Sequence, residues 1–197
     1  LHSIPGEKAE NVNVTMGFPL SVISLNGFIS AILDAQRVTL KNGGRLTIAH
    51  VGRILNNPLT SMISADAHRI YQELKESRQY YPNVDDLGKD EALQAIFARS
   101  TDNLSLLDNL LSILRILAPA LDKANVDTVF QPMYNEALYR CYTQISRFRT
   151  LVEEGTFETS AEMLCRLLRK VIGGTTVPFH GEPVVGMQVM GMIETRN

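Results

Sequence analysis

The apolar positions change period several times along the chain. Asn11 to Met16, NVNVTM, alternate polar with β-branched or apolar side chains, the period-two pattern of a half-buried strand, and Gly17 breaks it. From Pro19 the steps become three and four: Leu20, Ile23, Leu25, Phe28, Ile29, Ile32 and Leu33 predict a helix to about Gln36, with Pro19 in its first turn. Lys41-Asn42-Gly43-Gly44 is a turn by composition, and Thr47 caps a short helix with Ile48, Val51, Ile54 and Leu55 inward. Asn56-Asn57-Pro58 ends it. Thr60 or Ser64 starts the next helix, whose stripe is Ala67, Ile70, Tyr71 and Leu74, and Tyr80-Tyr81-Pro82-Asn83 breaks the pattern.

Asp90 caps a short helix through Phe97, and another begins near Asp102. Nine of the fourteen positions from Leu104 to Leu117 are Leu or Ile, too many for one stripe, so this is the expected central core helix, ended or kinked at Pro119. Tyr134, Leu138, Cys141, Ile145, Phe148 and Val152 form a further helical face that Gly155 ends. Thr159-Ser160-Ala161-Glu162 reads as a capping box with Thr159 as cap, introducing Met163, Leu164, Leu167, Leu168 and Val171, with Gly173 as the stop. Thr176 to Phe179 and Val184 to Ile193 read as extended, the second apolar on both faces like a strand inside a sheet. The expected fold is mainly α: a bundle of about seven helices with short terminal β-strands that belong to the sheet of a parent domain. The first and last segments would share that sheet, and the helices would be an excursion from it.

Composition adds bounds. A chain of 197 residues that is 45% hydrophobic is large enough for its own core. Net charge is -2, without the basic excess of a dedicated nucleic-acid binder, though local basic patches remain open. Cys141 and Cys165 lie within helical patterns with neither metal nor disulfide spacing, which points to a reducing, cytoplasmic setting and to buried structural thiols. Neither a signal peptide nor a run of about 18 apolar residues is found, so no membrane partner is expected. The start at Leu1 and the end at Asn197 suggest an excised piece of a longer protein.

Candidate chemistry is sparse. No G-x-x-x-x-G-K-[ST] loop exists to hold phosphates, and Gly173-Gly174-Thr175-Thr176 follows a helix where a phosphate loop precedes one. His2, His50, His68 and His180 are scattered, and Asp66 and His68 diverge on a helix, so no metal is expected. Glu73-Leu74-Lys75 fits a nuclease-style triplet but falls inside a helix instead of on a strand. No G-x-S-x-G elbow is present. No catalytic residue and no cofactor is therefore expected in this chain. The constellation left is basic: Arg140, Arg147 and Arg149 flank one helical stripe, and Arg166, Arg169 and Lys170 cluster at the end of the next. Side by side, these helices would offer DNA a phosphate-contacting patch; the simpler reading of the second group is cations at a helix C-terminus.

The two ends carry a resemblance. HGEPVVGMQVMGMIETRN, His180 to Asn197, resembles the segment leading into motif V of AddB-like proteins in the UvrD/Rep helicase superfamily, which join a degenerate helicase region to a PD-(D/E)XK nuclease. NVTMGFPL, Asn13 to Leu20, is similar to the segment after motif IV in the same proteins. The family places an accessory helical domain, called 2B, between these motifs inside the second RecA-like domain. The resemblance thus implies residues 1–18 as a parent strand segment, 19–174 as the 2B-like domain and 175–197 as the strand leading into motif V. Gln188 and Met190 keep the strand pattern, while Gly191 stands where active relatives carry Thr, Ile193 where they carry His, Arg196 at the Lys and Asn197 at the Gly. The missing hydroxyl and imidazole imply a degenerate motif. The implied role is a non-catalytic accessory domain of a helicase–nuclease subunit in processing double-strand-break ends, with DNA and a partner helicase subunit as partners. A helical module that only docks a partner subunit is the rival.

Overall fold

The computed structural model describes residues 12–15, 17–123, 131–178 and 187–190. Eight α-helices lie among them: α1 (Ser24–Lys41), α2 (Ile48–Leu55), α3 (Pro58–Ile63), α4 (Ala67–Glu76), α5 (Glu91–Phe97), α6 (Asn103–Lys123), α7 (Gln131–Glu153) and α8 (Ala161–Gly174). Four short strands flank them: β1 (Val12–Thr15), β2 (Gly17–Pro19), β3 (Thr176–Pro178) and β4 (Met187–Met190). The protein is mainly helical, as the periodicity predicts.

The leucine-rich α6 is the axis. Leu106, Leu107, Leu110, Leu111, Ile113, Leu114, Leu117 and Leu121 are buried, on more than one face, because α7 runs along the helix while α3 and α5 cover its other side. Asp102 starts it: its carboxylate accepts from Ser105 N at 2.7 Å while the Ser105 hydroxyl accepts from Asp102 N at 3.1 Å. By length and a mean hydropathy of 1.6, α6 passes for a membrane span, although Asp108 and Arg115 interrupt it and it is no continuous apolar run; in this fold most of its leucines are core. Pro119 does not end it. The residue is exposed, so the Arg115 carbonyl that loses its amide partner lies on the solvent side, and the helix continues to Lys123.

A second layer is built on α1, which packs against both α2 and α8. It starts five residues later than predicted, after a 3-10 turn at Leu20–Val22, and runs five residues further, to Lys41. The extension is invisible to apolar periodicity because polar residues fill its inward positions: Gln36 Nε2 donates to Ala98 O at 2.7 Å, and Thr39 Oγ1 to Gln36 O at 2.8 Å. The helix expected to start at Thr60 or Ser64 is two: α3, capped by Asn57 with Pro58 first, and α4. At α8 the cap is Ser160, whose hydroxyl accepts from Met163 N, and not Thr159; Gly173 does not stop the helix, which ends after Gly174.

The chain enters and leaves this body through one neck. β2 and β3 pair antiparallel, Gly17 opposite Pro178 and Pro19 opposite Thr176, and Leu20 N donates to Thr175 O at 2.8 Å. Beyond them β1 and β4 pair in parallel, Val12 opposite Met187 through Thr15 opposite Met190.

Candidate nucleic-acid interface

Each cation of the predicted patch is carried by α7 or α8, and most are already engaged. Arg140 Nε donates to Glu136 at 2.6 Å, one turn earlier on α7. Arg149 reaches across to α6, with Nε at 2.6 Å from Asp108 and a second bond of 2.6 Å to Glu153, and the Asp108 carboxylate raises its pKa further. Arg166 holds Glu162 at 3.0 Å. Arg169 turns the other way, toward α1, and binds Asp34 at 2.7 Å and the Ser30 carbonyl at 3.4 Å. Arg147 and Lys170 are exposed and form no ion pair among the described residues. Although α7 and α8 touch, Arg149 and Arg169 diverge toward different helices, so the six do not converge on one surface.

Two carboxylates organise the α8 group. Asp34, with a side chain 15% exposed, takes Arg169, Arg53 at 3.2 Å and Arg37 at 3.7 Å, joining α1, α2 and α8. Burial alone would raise the Asp34 carboxyl; hydrogen bonds and charge from Arg169 and Arg53 outweigh it and hold the group below its ordinary value. Glu162 takes Lys41 at 3.1 Å, Arg37 at 3.7 Å and Arg166, and the Lys41 ammonium leads in lowering its pKa. The capping-box pattern marks Glu162 only as part of a helix start, and no motif marks Asp34, whose one signal is that Arg37 shares its face of α1 three residues on.

The remaining candidates resolve locally. His50 Nδ1 lies 2.7 Å from the Thr47 hydroxyl that caps α2, and His68 faces Gln72. Asp66 and Glu73 both bind Arg69, and Lys75 sits over the Tyr71 ring, so the Glu73-Leu74-Lys75 triplet flanks a buried leucine with two unrelated contacts. Cys141 and Cys165 are buried, and burial pushes the Cys141 thiol up to about 12 and raises that of Cys165. No group of three or more His, Cys, Asp or Glu that could hold a metal occurs among the described residues. Gln188 lies in β4 opposite Asn13, whereas His2, His180, Gly191, Ile193 and Arg196 lie outside the described residues.

An aromatic feature escaped the sequence reading. Tyr80 and Tyr81 are 59% and 67% exposed in the loop after α4, although the pair reads in sequence only as a helix breaker. Compared with family models, curated proteins and solved structures, the chain matches none of them.

Proposed function

We propose that this chain is the helical accessory domain of an AddB-like helicase–nuclease subunit, a 2B-like insertion that performs no chemistry itself and presents a surface to DNA during the processing of broken ends. The observation that supports this reading is the parallel register of β1 with β4 across a helical excursion of about 170 residues. Parallel strands are stable inside sheets covered on both faces, so such a pair fits two strands of a larger sheet, between which the bundle has been inserted. The strand that carries the resemblance to motif V, with Gln188 in it, is then a neighbour of the strand that follows motif IV.

In this reading Arg147 and Lys170 meet phosphate directly, while Arg140, Arg149, Arg166 and Arg169 would have to exchange a carboxylate for a phosphate; Arg149 serves first to tie α7 to α6 and Arg169 to tie α8 to α1, whereas Arg140 and Arg166 pair within their own helices. The test is the affinity of the chain for labelled DNA over a salt series. Binding should weaken linearly in log–log form with a slope near -0.7 per phosphate contact on a single strand, and Arg147→Ala or Lys170→Ala should each reduce it by about one contact. Absence of salt-dependent binding removes the DNA-facing role.

A further inference from the structure

α4 ends through a left-handed residue, as α1 and α7 do at Gly43 and Gly155, but here that residue is not a glycine. Gln79 N donates to Leu74 O at 3.0 Å and Arg78 N to Lys75 O at 3.2 Å, the crossed pair of bonds that closes a helix through one left-handed residue. That residue is Arg78 at φ 53°, the one non-glycine with positive φ among the described residues. Glycine occupies this conformation without steric cost, whereas a long side chain there costs stability. Such a residue directs attention to what its side chain does.

Immediately after it the chain forms a ledge. Tyr80 O accepts from Ile48 N at 2.9 Å and Pro82 O from Leu46 N at 3.1 Å, and Arg45 bridges Asn83 antiparallel, so the backbone under both tyrosines is pinned to the segment leading into α2. Leu46 and Pro82 are buried, while Arg45 and Tyr81 are exposed on the alternate positions of the pair. One turn back on α4, the Lys75 ammonium lies 5.6 Å from the centre of the Tyr71 ring, and Tyr71 packs on Gly52, where a Cβ would meet the ring at 2.8 Å. Arg45, Lys75 and Arg78 form no ion pair among the described residues, in contrast to Arg140, Arg149, Arg166 and Arg169 on α7 and α8. The nearby acids are turned elsewhere: Glu73 is held by Arg69, Asp85 by Arg99, and Asp86 lines a groove with Glu73, Ser77 and Gln79, leaving Glu76 on the outer face of α4.

We propose that this ledge binds a single DNA strand, with unpaired bases stacking on Tyr80 and Tyr81 and the phosphates meeting Arg45, Lys75 and Arg78. Exposed flat rings on a pinned backbone, interleaved with unpaired cations, are what a single strand uses: ring faces for stacking and point charges along the backbone. Duplex DNA hides its base faces, so the ledge favours the unwound strand. The proposal rests on the DNA-facing reading above and locates a contact on it far in sequence from Arg147 and Lys170.

The full chain is titrated with fluorescein-labelled oligothymidylate and with a duplex of equal length. The single strand binds more tightly, and Tyr81→Ala weakens it at least about fivefold, equivalent to roughly 1 kcal/mol. Arg78→Gly separates function from folding, because it should raise the thermal midpoint by about 2 to 4 °C while weakening the single strand. Unchanged single-strand affinity in both variants, or equal affinity for duplex, overturns the ledge and leaves DNA binding elsewhere standing. Loss of a partner protein by Tyr81→Ala with DNA affinity intact also overturns it. No binding to DNA of either kind overturns the ledge together with the DNA-facing reading.

Discussion

Asp34 ties α1 to α2 and α8, because three guanidinium groups from two other helices and its own converge on it. Replacing it with Asn keeps the shape but leaves Arg169 and Arg53 half-buried against a neutral partner, and should lower stability by about 2 kcal/mol in urea unfolding. The folded pKa lies below the ordinary 3.8, so the contribution is present above that value and is lost as pH falls through the depressed one. The gap between the wild-type and Asp34→Asn urea midpoints should therefore be constant near neutrality and close below about pH 4. Cys141 behaves in the opposite sense. Burial raises its pKa from 9.0 to about 12, so it favours the folded state below pH 9 and that contribution fades as pH rises toward 12. Held as a thiol at pH 8, Cys141 should resist iodoacetamide in the native protein and react once urea unfolds it, as followed by intact-mass spectrometry.

At the scale of elements, the cap of α8 separates two readings one residue apart. Thr159 and Ser160 both suit a cap, but Asn103 Nδ2 donates to the Thr159 carbonyl at 2.7 Å and fixes the backbone so that the Ser160 hydroxyl reaches Met163 N. Ser160→Ala should cost about 1 kcal/mol by thermal melting and Thr159→Ala a few tenths. What chose between them is a contact 56 residues away, and that pattern recurs. Apolar periodicity gave the two terminal strand segments and α2, α4, α5, α6, α7 and α8, since each of these helices buries a face long enough to show a period. It missed α3, whose six residues show less than two turns, and the end of α1, where Gln36 and Thr39 occupy buried positions, the Gln36 amide nitrogen bonded to Ala98 O and the Thr39 hydroxyl to Gln36 O. The basic residues of the candidate interface could be picked out by composition. Their neutralisation could not, because Arg169 finds Asp34 from 135 residues away and Arg149 finds Asp108 from 41. Tyr80 and Tyr81 were passed over because a tyrosine pair before proline signals a break in a helix whether or not its rings end up exposed.

For the molecule as a whole, the question is whether the bundle depends on the strands at its neck. Among the described residues its contiguous core runs from Leu20 to Ile172 and includes beyond them only Val177, in β3. Every other core member lies on the helices or the short connections between them, with the layers around α1 and α6 joined through the packing of α1 on α3 and α7 on α8. A piece spanning Gly17 to Pro178 keeps the β2–β3 neck and every core member among the described residues while removing β1 and β4. If the helices are an insertion that folds on its own, this piece should retain the helical circular dichroism of the full chain and melt in one cooperative transition within a few degrees of it. Trimming further, back to Gly174, removes Val177 and the Leu20–Thr175 bond and should lower the midpoint by several degrees, about 1–2 kcal/mol for one buried valine. A broad, non-cooperative melt of the Gly17 to Pro178 piece would show that β1 and β4 contribute to the stability of the bundle, and the two-strand insertion architecture on which the accessory-domain reading depends would have to be given up.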